Sequence, residues 1–237
     1  MRELFIEGIG NVKFKKSNRA RNISIAVKPI HGGHVTVPNY VSYFDAEKIV
    51  IQKKDWIVKH LDKTREIEKG CTKFSEDELH RTKFHELVLN RTGGNKITVR
   101  VQSGKINVTY PLQLNSESEI VQSAIRKGIE RAFKVEAKNY LPTRVNELAK
   151  NFGLSYQKVT VKNVKSRWGS CSRKKNINLN IHLMRLPYYL IDYVILHELA
   201  HTIELNHSKR FWSLLESFMG GAKQLDKELK NYRVTIF

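Results

Sequence analysis

The sequence predicts an α+β fold. Three observations carry that prediction: period-two alternation within the first forty residues, a long amphipathic stretch over 116–151, and an apolar run that begins at Pro187. Their order along the chain is strands, helix, strands and then mostly helices, which is the plan of an α+β chain.

Each element has its own signal. Ile23 to Val27 alternates, His31-Gly32-Gly33-His34 supplies a turn, and Val35 to Pro38 resumes the alternation, so a hairpin is expected. From Phe44 to Glu68 the period becomes helical, with Ile49, Trp56, Ile57 and Leu61 on one face. Residues 70–82 are polar and read as loop. A second hairpin is expected around Asn90 to Asn95, feeding the alternating runs Lys96 to Val101 and Lys105 to Tyr110, with Pro111 as the stop. Ser116 or Ser118 caps a long helix ending near Asn151, whose buried stripe is Ile120, Ala124, Ile125, Ile129, Phe133 and Ala137. Pro142 should kink that helix or divide it. Lys158 to Val161 and Ile177 to Ile181 follow as strands joined by a loop rich in Gly, Ser and Lys. A helix starts at Pro187, and two short helices over 208–219 and 222–231 close the chain. The change of pattern near 111–117 places a boundary there, giving an amino-terminal region over 1–112 and a second domain over 113–237.

The chain has 237 residues, enough for one large domain or two small ones, and a formal net charge of +19. Both halves are basic: residues 1–110 carry 21 basic and 12 acidic side chains, and residues 111–237 carry 21 and 11. Such a surface attracts polyanions, although basic charge also serves solubility. One block stands out. Leu148 to Ile191 holds no Asp or Glu and nine basic residues, among them Lys162 and Arg167. Cys71 and Cys171 lie in neither a metal-ligand nor a redox spacing, which fits a reducing compartment. The first residues carry no signal-peptide pattern, and no apolar run approaches the ~20 residues that span a bilayer. A cytoplasmic enzyme without membrane contact is expected.

The chemistry is concentrated in residues 197–201, His-Glu-Leu-Ala-His. On a helix His197 and His201 share one face and can hold a common metal ion. Glu198 lies about 100° further round, better placed to take a proton from a water than to act as a ligand. The other reading is a satisfied pair of histidines. The apolar run leading into the motif, and His207 six residues after His201, favour the metal.

The run from Val194 to Trp212, with His-Glu-x-x-His, a later His and a Phe-Trp pair, resembles the zinc helix of the YgjP-type (WLM/SprT-like) metallopeptidases. Lys165 to Ser172, reading Lys-Ser-Arg-Trp-Gly-Ser-Cys-Ser, and Ile177 to Asn180 are similar to a second signature of the YgjP-type group. Arg19 to Ile25 and Val35 to Pro38 resemble its amino-terminal region. This resemblance implies a zincin-like metallopeptidase domain after a β-rich amino-terminal region, one zinc on His197, His201 and His207, and Glu198 as catalytic base. Nickel or cobalt would also suit such a site. The histidine spacing also matches metzincins, but Glu204 stands where they carry glycine.

In such a domain the strand before the zinc helix borders the cleft. Arg167 and Ser170 are therefore candidate substrate contacts, Arg167 for a carboxylate, a phosphate or an oxyanion. Equally, Arg167 could pack on a buried Trp168. Glu204 could contact a ligand imidazole or the metal, or be a solvated turn carboxylate. Cys171 reads as a small buried residue rather than a nucleophile, and Phe211-Trp212 as core behind the His207 loop.

The leading function is zinc-dependent hydrolysis of peptides or proteins, in which Glu198 activates a water. An alternative is metal-dependent hydrolysis of a nucleotide phosphoanhydride, as in a nucleoside triphosphate pyrophosphatase, with the basic block holding phosphates. Against it, the chain has no glycine-rich phosphate loop. A further alternative is a basic DNA-associated protein with a metal site, binding nucleic acid weakly and without sequence preference.

Overall fold

The computed structural model describes residues 2–28, 32–69, 72–232 and 234. The chain is mixed α/β and forms two compact units that divide between Thr72 and Lys73. His31 and Cys71 lie outside the described residues. Among the described residues no helix is long and apolar enough to cross a membrane.

The first unit is a four-stranded sheet with two helices. Its strands are β1 (Arg2–Ile6), β2 (Gly10–Ser17), β3 (Ser24–Lys28) and β4 (Gly32–Pro38), in the order β1-β2-β4-β3. The expected pairing of Ile23–Val27 with Val35–Pro38 is present as the antiparallel β3–β4 ladder, in which Ile25 faces Val35. Gly32, Gly33 and His34 belong to β4 itself, so they do not form the turn. Val12, Phe14, Val35 and Val37 point inward from the sheet and pack with Ala46, Val50 and Ile57. Where one helix was expected there are two, α1 (Tyr43–Gln52) and α2 (Lys54–Lys69), separated at Lys53. Ala46 and Val50 face the core in α1, whereas Ile49 and Trp56 are exposed.

In the second unit β5 (Glu86–Thr92), β6 (Thr98–Gln102) and β7 (Lys105–Pro111) form a sheet in the order β5-β7-β6. The hairpin expected at Asn90–Asn95 is absent, because β5 runs parallel to β7 and never pairs with β6. The true hairpin joins β6 to β7 through Ser103 and Gly104. Both have positive φ, 50° and 71°, as a two-residue turn of the primed type requires. The central strand β7 buries Ile106, Val108 and Tyr110.

Helix α3 (Glu119–Asn151) runs unbroken through Pro142, so it is not divided there. It lies against β6 and β7, and it approaches closely because Gly128 has no side chain: a methyl there would sit 2.7 Å from Ile106 Cγ2. Most of the expected stripe is buried, but Ile120 is exposed and Val121 takes its place. Near mid-helix, Glu136 is 2% exposed. Its Oε1 accepts from the Thr82 hydroxyl, from the Phe84 amide at 3.1 Å, and from His85 Nδ1 at 2.7 Å. Glu136→Ala would take a shared acceptor from three part-buried donors, of which the Thr82 hydroxyl keeps the His85 carbonyl at 3.2 Å. It is expected to destabilise the fold by about 3 kcal/mol in urea unfolding, with Glu136→Gln costing less.

A second sheet of this unit contains β8 (Lys158–Lys162), β9 (Gly169–Cys171) and β10 (Asn176–Asn180), in the order β8-β10-β9. The loop expected between two strands therefore contains a short edge strand, antiparallel to β10. A 3₁₀ turn over Ile181–Arg185 leads to α4 (Tyr188–Ala200), with Pro187 at its cap position. Leu190, Ile191, Val194, Ile195, Leu196 and Leu199 make α4 apolar on nearly every side, so it is a buried scaffold. Arg144 of α3 grips Asp192 of α4 with two hydrogen bonds, of 2.8 and 2.7 Å. Helices α5 (Lys209–Phe218) and α6 (Ala222–Leu229) complete the unit. Residues 111–117 link β7 to α3 within this unit.

Candidate metal centre

The last turn of α4 carries His197, with His201 at its carboxyl-terminal cap. The chain then leaves the helix through Thr202–Ser208 and re-enters helix at α5, where the Ser208 hydroxyl accepts the Phe211 amide. That excursion returns His207 to the two helical histidines. Its Nε2 lies 2.9 Å from His197 Nε2 and 3.2 Å from His201 Nε2. Among the described residues these three form a group able to hold a metal ion.

The rings are fixed from behind. Phe211 is fully buried and stacks on His201 with centroids 4.5 Å apart, and it stands edge-on to His197 and His207 at 4.9 and 4.7 Å. Phe211 is therefore core behind the histidines, as expected. Glu204 contacts a histidine through its backbone rather than its carboxylate: His201 Nδ1 lies 3.0 Å from the Glu204 carbonyl. That bond fixes the proton on Nδ1 and leaves the Nε2 lone pair facing its neighbours. Burial, and after it the two neighbouring imidazoles, push His197 down to about 4. Burial also lowers His201. At neutral pH His197 thus presents an uncharged nitrogen.

Glu198 occupies a separate, buried position and is 5% exposed. Among the described residues its Oε2 has no hydrogen-bond partner. Burial pushes its carboxyl up to about 8, against the opposing pull of the Arg167 charge. The edge strand β9 passes directly over it. A methyl group at Gly169 would lie 2.5 Å from Glu198 Oε1, 2.7 Å from Cγ and 2.9 Å from Cδ.

The block from Arg167 to Cys171 thus does border the site. Arg167 is near enough for its charge to act on Glu198. Ser170 is not directed there: its Oγ accepts from Asn178 Nδ2 at 3.2 Å, on the other face of β9. Cys171 is half-buried. Its thiol is pushed up to about 11 by burial and then by Glu198, so it stays protonated and is no nucleophile.

Two contributors escaped the sequence reading. Gly169 appears there only within the run Lys165 to Ser172, yet it forms the roof over Glu198. Asn180, 1% exposed, donates from Nδ2 to the Val164 and Arg167 carbonyls at 2.7 Å each, and its amide donates to Trp168 O at 2.9 Å. Three asparagines alternate with Ile177 and Leu179 in β10 and only Asn180 of the three is buried, so no signal in the sequence singles it out.

The family model described as YgjP-like, metallopeptidase domain, matches residues 21–232 of this chain. The chain belongs to the YgjP-like family. Among solved structures, this YgjP-like chain is similar to the metallopeptidase zymogen of Pyrococcus abyssi abylysin. The identity is 24%, over 38% of this chain and 92% of that one, with a TM-score of 0.34. It is also similar to the metallopeptidase zymogen of Methanocaldococcus jannaschii jannalysin. There the identity is 23%, over 38% of this chain and 93% of that one, again with a TM-score of 0.34. No curated protein matches the chain.

Proposed function

We propose that this YgjP-like chain is a zinc-dependent metallopeptidase of zincin type, with His197, His201 and His207 as ligands and Glu198 as general base. One observation carries the reading. Three imidazole nitrogens converge next to a buried glutamate that, among the described residues, has an oxygen without a hydrogen-bond partner. Nitrogens held 2.9–3.2 Å apart either share a proton as N–H···N or turn their lone pairs toward a common cation. Tetrahedral zinc at its usual bond lengths needs nitrogens about 3.3 Å apart, so the donor set fits with little adjustment. Nickel or cobalt would suit the same nitrogens.

Zinc held there would supply Lewis-acid polarisation of a peptide carbonyl and a more acidic water. The chain's own residues do the rest. The Glu204 carbonyl and the Phe211 ring keep the imidazoles in register. A cation held by the imidazoles would favour the ionised form of Glu198, whose Oε2 then receives the proton of the attacking water and returns it to the leaving amine nitrogen. Arg167 brings positive charge to the same cleft, suited to an anionic part of the substrate or to charge developing on the carbonyl oxygen.

The test combines metal binding with turnover. Zinc-loaded protein is expected to cleave a panel of unstructured peptides, to lose cleavage on chelation and to regain it with zinc. Ala at His197, His201 or His207 is expected to weaken zinc by more than about 100-fold in competition with a chromophoric chelator, since losing even the partner of a ligand costs 10–100-fold. Unchanged zinc affinity in all three variants would refute the ligand assignment.

A further inference from the structure

A second cavity, of 240 Å³, opens beside β9 and is lined by Lys162, Ser166, Arg167, Trp168, Ser170 and Asn178. Gly169 and Arg167 belong to its wall and also border Glu198, so the cavity adjoins the metal centre through one short strand. No acidic residue lines it. No Asp or Glu occurs between Leu148 and Ile191, and among the described residues neither Lys162 nor Arg167 has an ion-pair partner.

The lining is also held in place. Asn180 ties down the Val164 and Arg167 carbonyls, so the loop that brings Arg167 to the rim is fixed before any ligand arrives. Ser170 accepts from Asn178 and so keeps its own hydroxyl proton for donation into the cavity. Pockets for whole drug-sized molecules run from about 300 to 1,000 Å³, so this one takes a single group. Two cations with hydroxyl and amide donors are the chemistry of an anion site.

We propose that this cavity binds the anionic group of the substrate, a carboxylate or a phosphate. Its assignment to the substrate of the metal centre rests on the hydrolytic reading above, whereas anion binding does not. Acidic peptides or peptides ending near the scissile bond would present a carboxylate here, and phosphorylated ones a phosphate.

Calorimetric titration of the full-length chain, metal-free and zinc-loaded, with inorganic phosphate and with N-acetyl-aspartate tests the site. Saturable binding is expected in both metal states, weakened about tenfold by Lys162→Met and several-fold by Ser170→Ala, and reduced by salt. The tighter probe identifies which anion the cavity prefers. The proposal is overturned by the absence of saturable binding to either probe, by binding that appears only with zinc, or by equal affinity in wild type and Lys162→Met. A wild type that binds the anion yet cleaves no peptide would support the cavity and refute the peptidase.

Discussion

Glu198→Gln is expected to remove turnover while making the metal-free protein more resistant to unfolding at alkaline pH. The loss of a general base costs about 10²–10⁴ in rate, and zinc affinity should be nearly unchanged, because the three imidazoles are untouched. The stability effect follows from burial. In the folded protein the Glu198 carboxyl is raised from its ordinary 4.5 to about 8, so the folded state holds this proton more tightly than the unfolded chain. The resulting contribution is complete below the unfolded value and disappears as pH rises through the folded one. Above that point the wild type carries a buried, unpaired charge that the variant lacks. The advantage of Glu198→Gln should therefore grow with pH toward about 5 kcal/mol at most. Urea unfolding of both proteins with chelator, at pH values on either side of that window, measures it. Parallel pH profiles would show that Glu198 is not held in the buried state described.

Gly169→Ala is expected to disable the site without touching a single chemical group in it. The added methyl would lie 2.5–2.9 Å from three atoms of the Glu198 side chain, well inside the ~3.5–4.0 Å of a favourable contact. Glu198 is 5% exposed, so either β9 lifts or the buried carboxylate turns away. A misplacement of about 1 Å at a catalytic group costs about 100-fold in rate, and that is the size of loss expected in kcat at full zinc occupancy. Gly94→Ala serves as control, since its nearest neighbours would be Thr92 side-chain atoms at 3.8 Å. A Gly169→Ala protein with wild-type kcat would show that β9 does not cover the carboxylate.

What the sequence disclosed, and what it hid, follows from the range of the interactions. His197 and His201 were legible because one helical turn brings them together without help from the rest of the chain. Pro187 and the apolar run behind it announced the buried helix for the same reason. The β-hairpin at Ser103-Gly104 was missed in favour of Gly93-Gly94. Both are turn signals, and only the non-local pairing of β5 with β7 decides between them. Trp56 and Ile120 were assigned to buried faces that the structure exposes. In the first case the buried positions Ala46, Val50 and Ile57 define a face one residue round from the one assigned. In the second, the long helix begins with its neighbour Val121 inward. Gly169 over Glu198 left no trace at all, since contact between a backbone and a side chain 29 residues further on has no period and no composition.

The most direct measurement of the central claim is the rate of peptide-bond cleavage by wild type and Glu198→Gln at equal, verified zinc occupancy. Measurable cleavage by zinc-loaded wild type, abolished by chelation and reduced about a thousandfold in Glu198→Gln, is the result predicted. Equal rates in the two proteins, or no cleavage by a fully zinc-loaded wild type across the peptide panel, would contradict it.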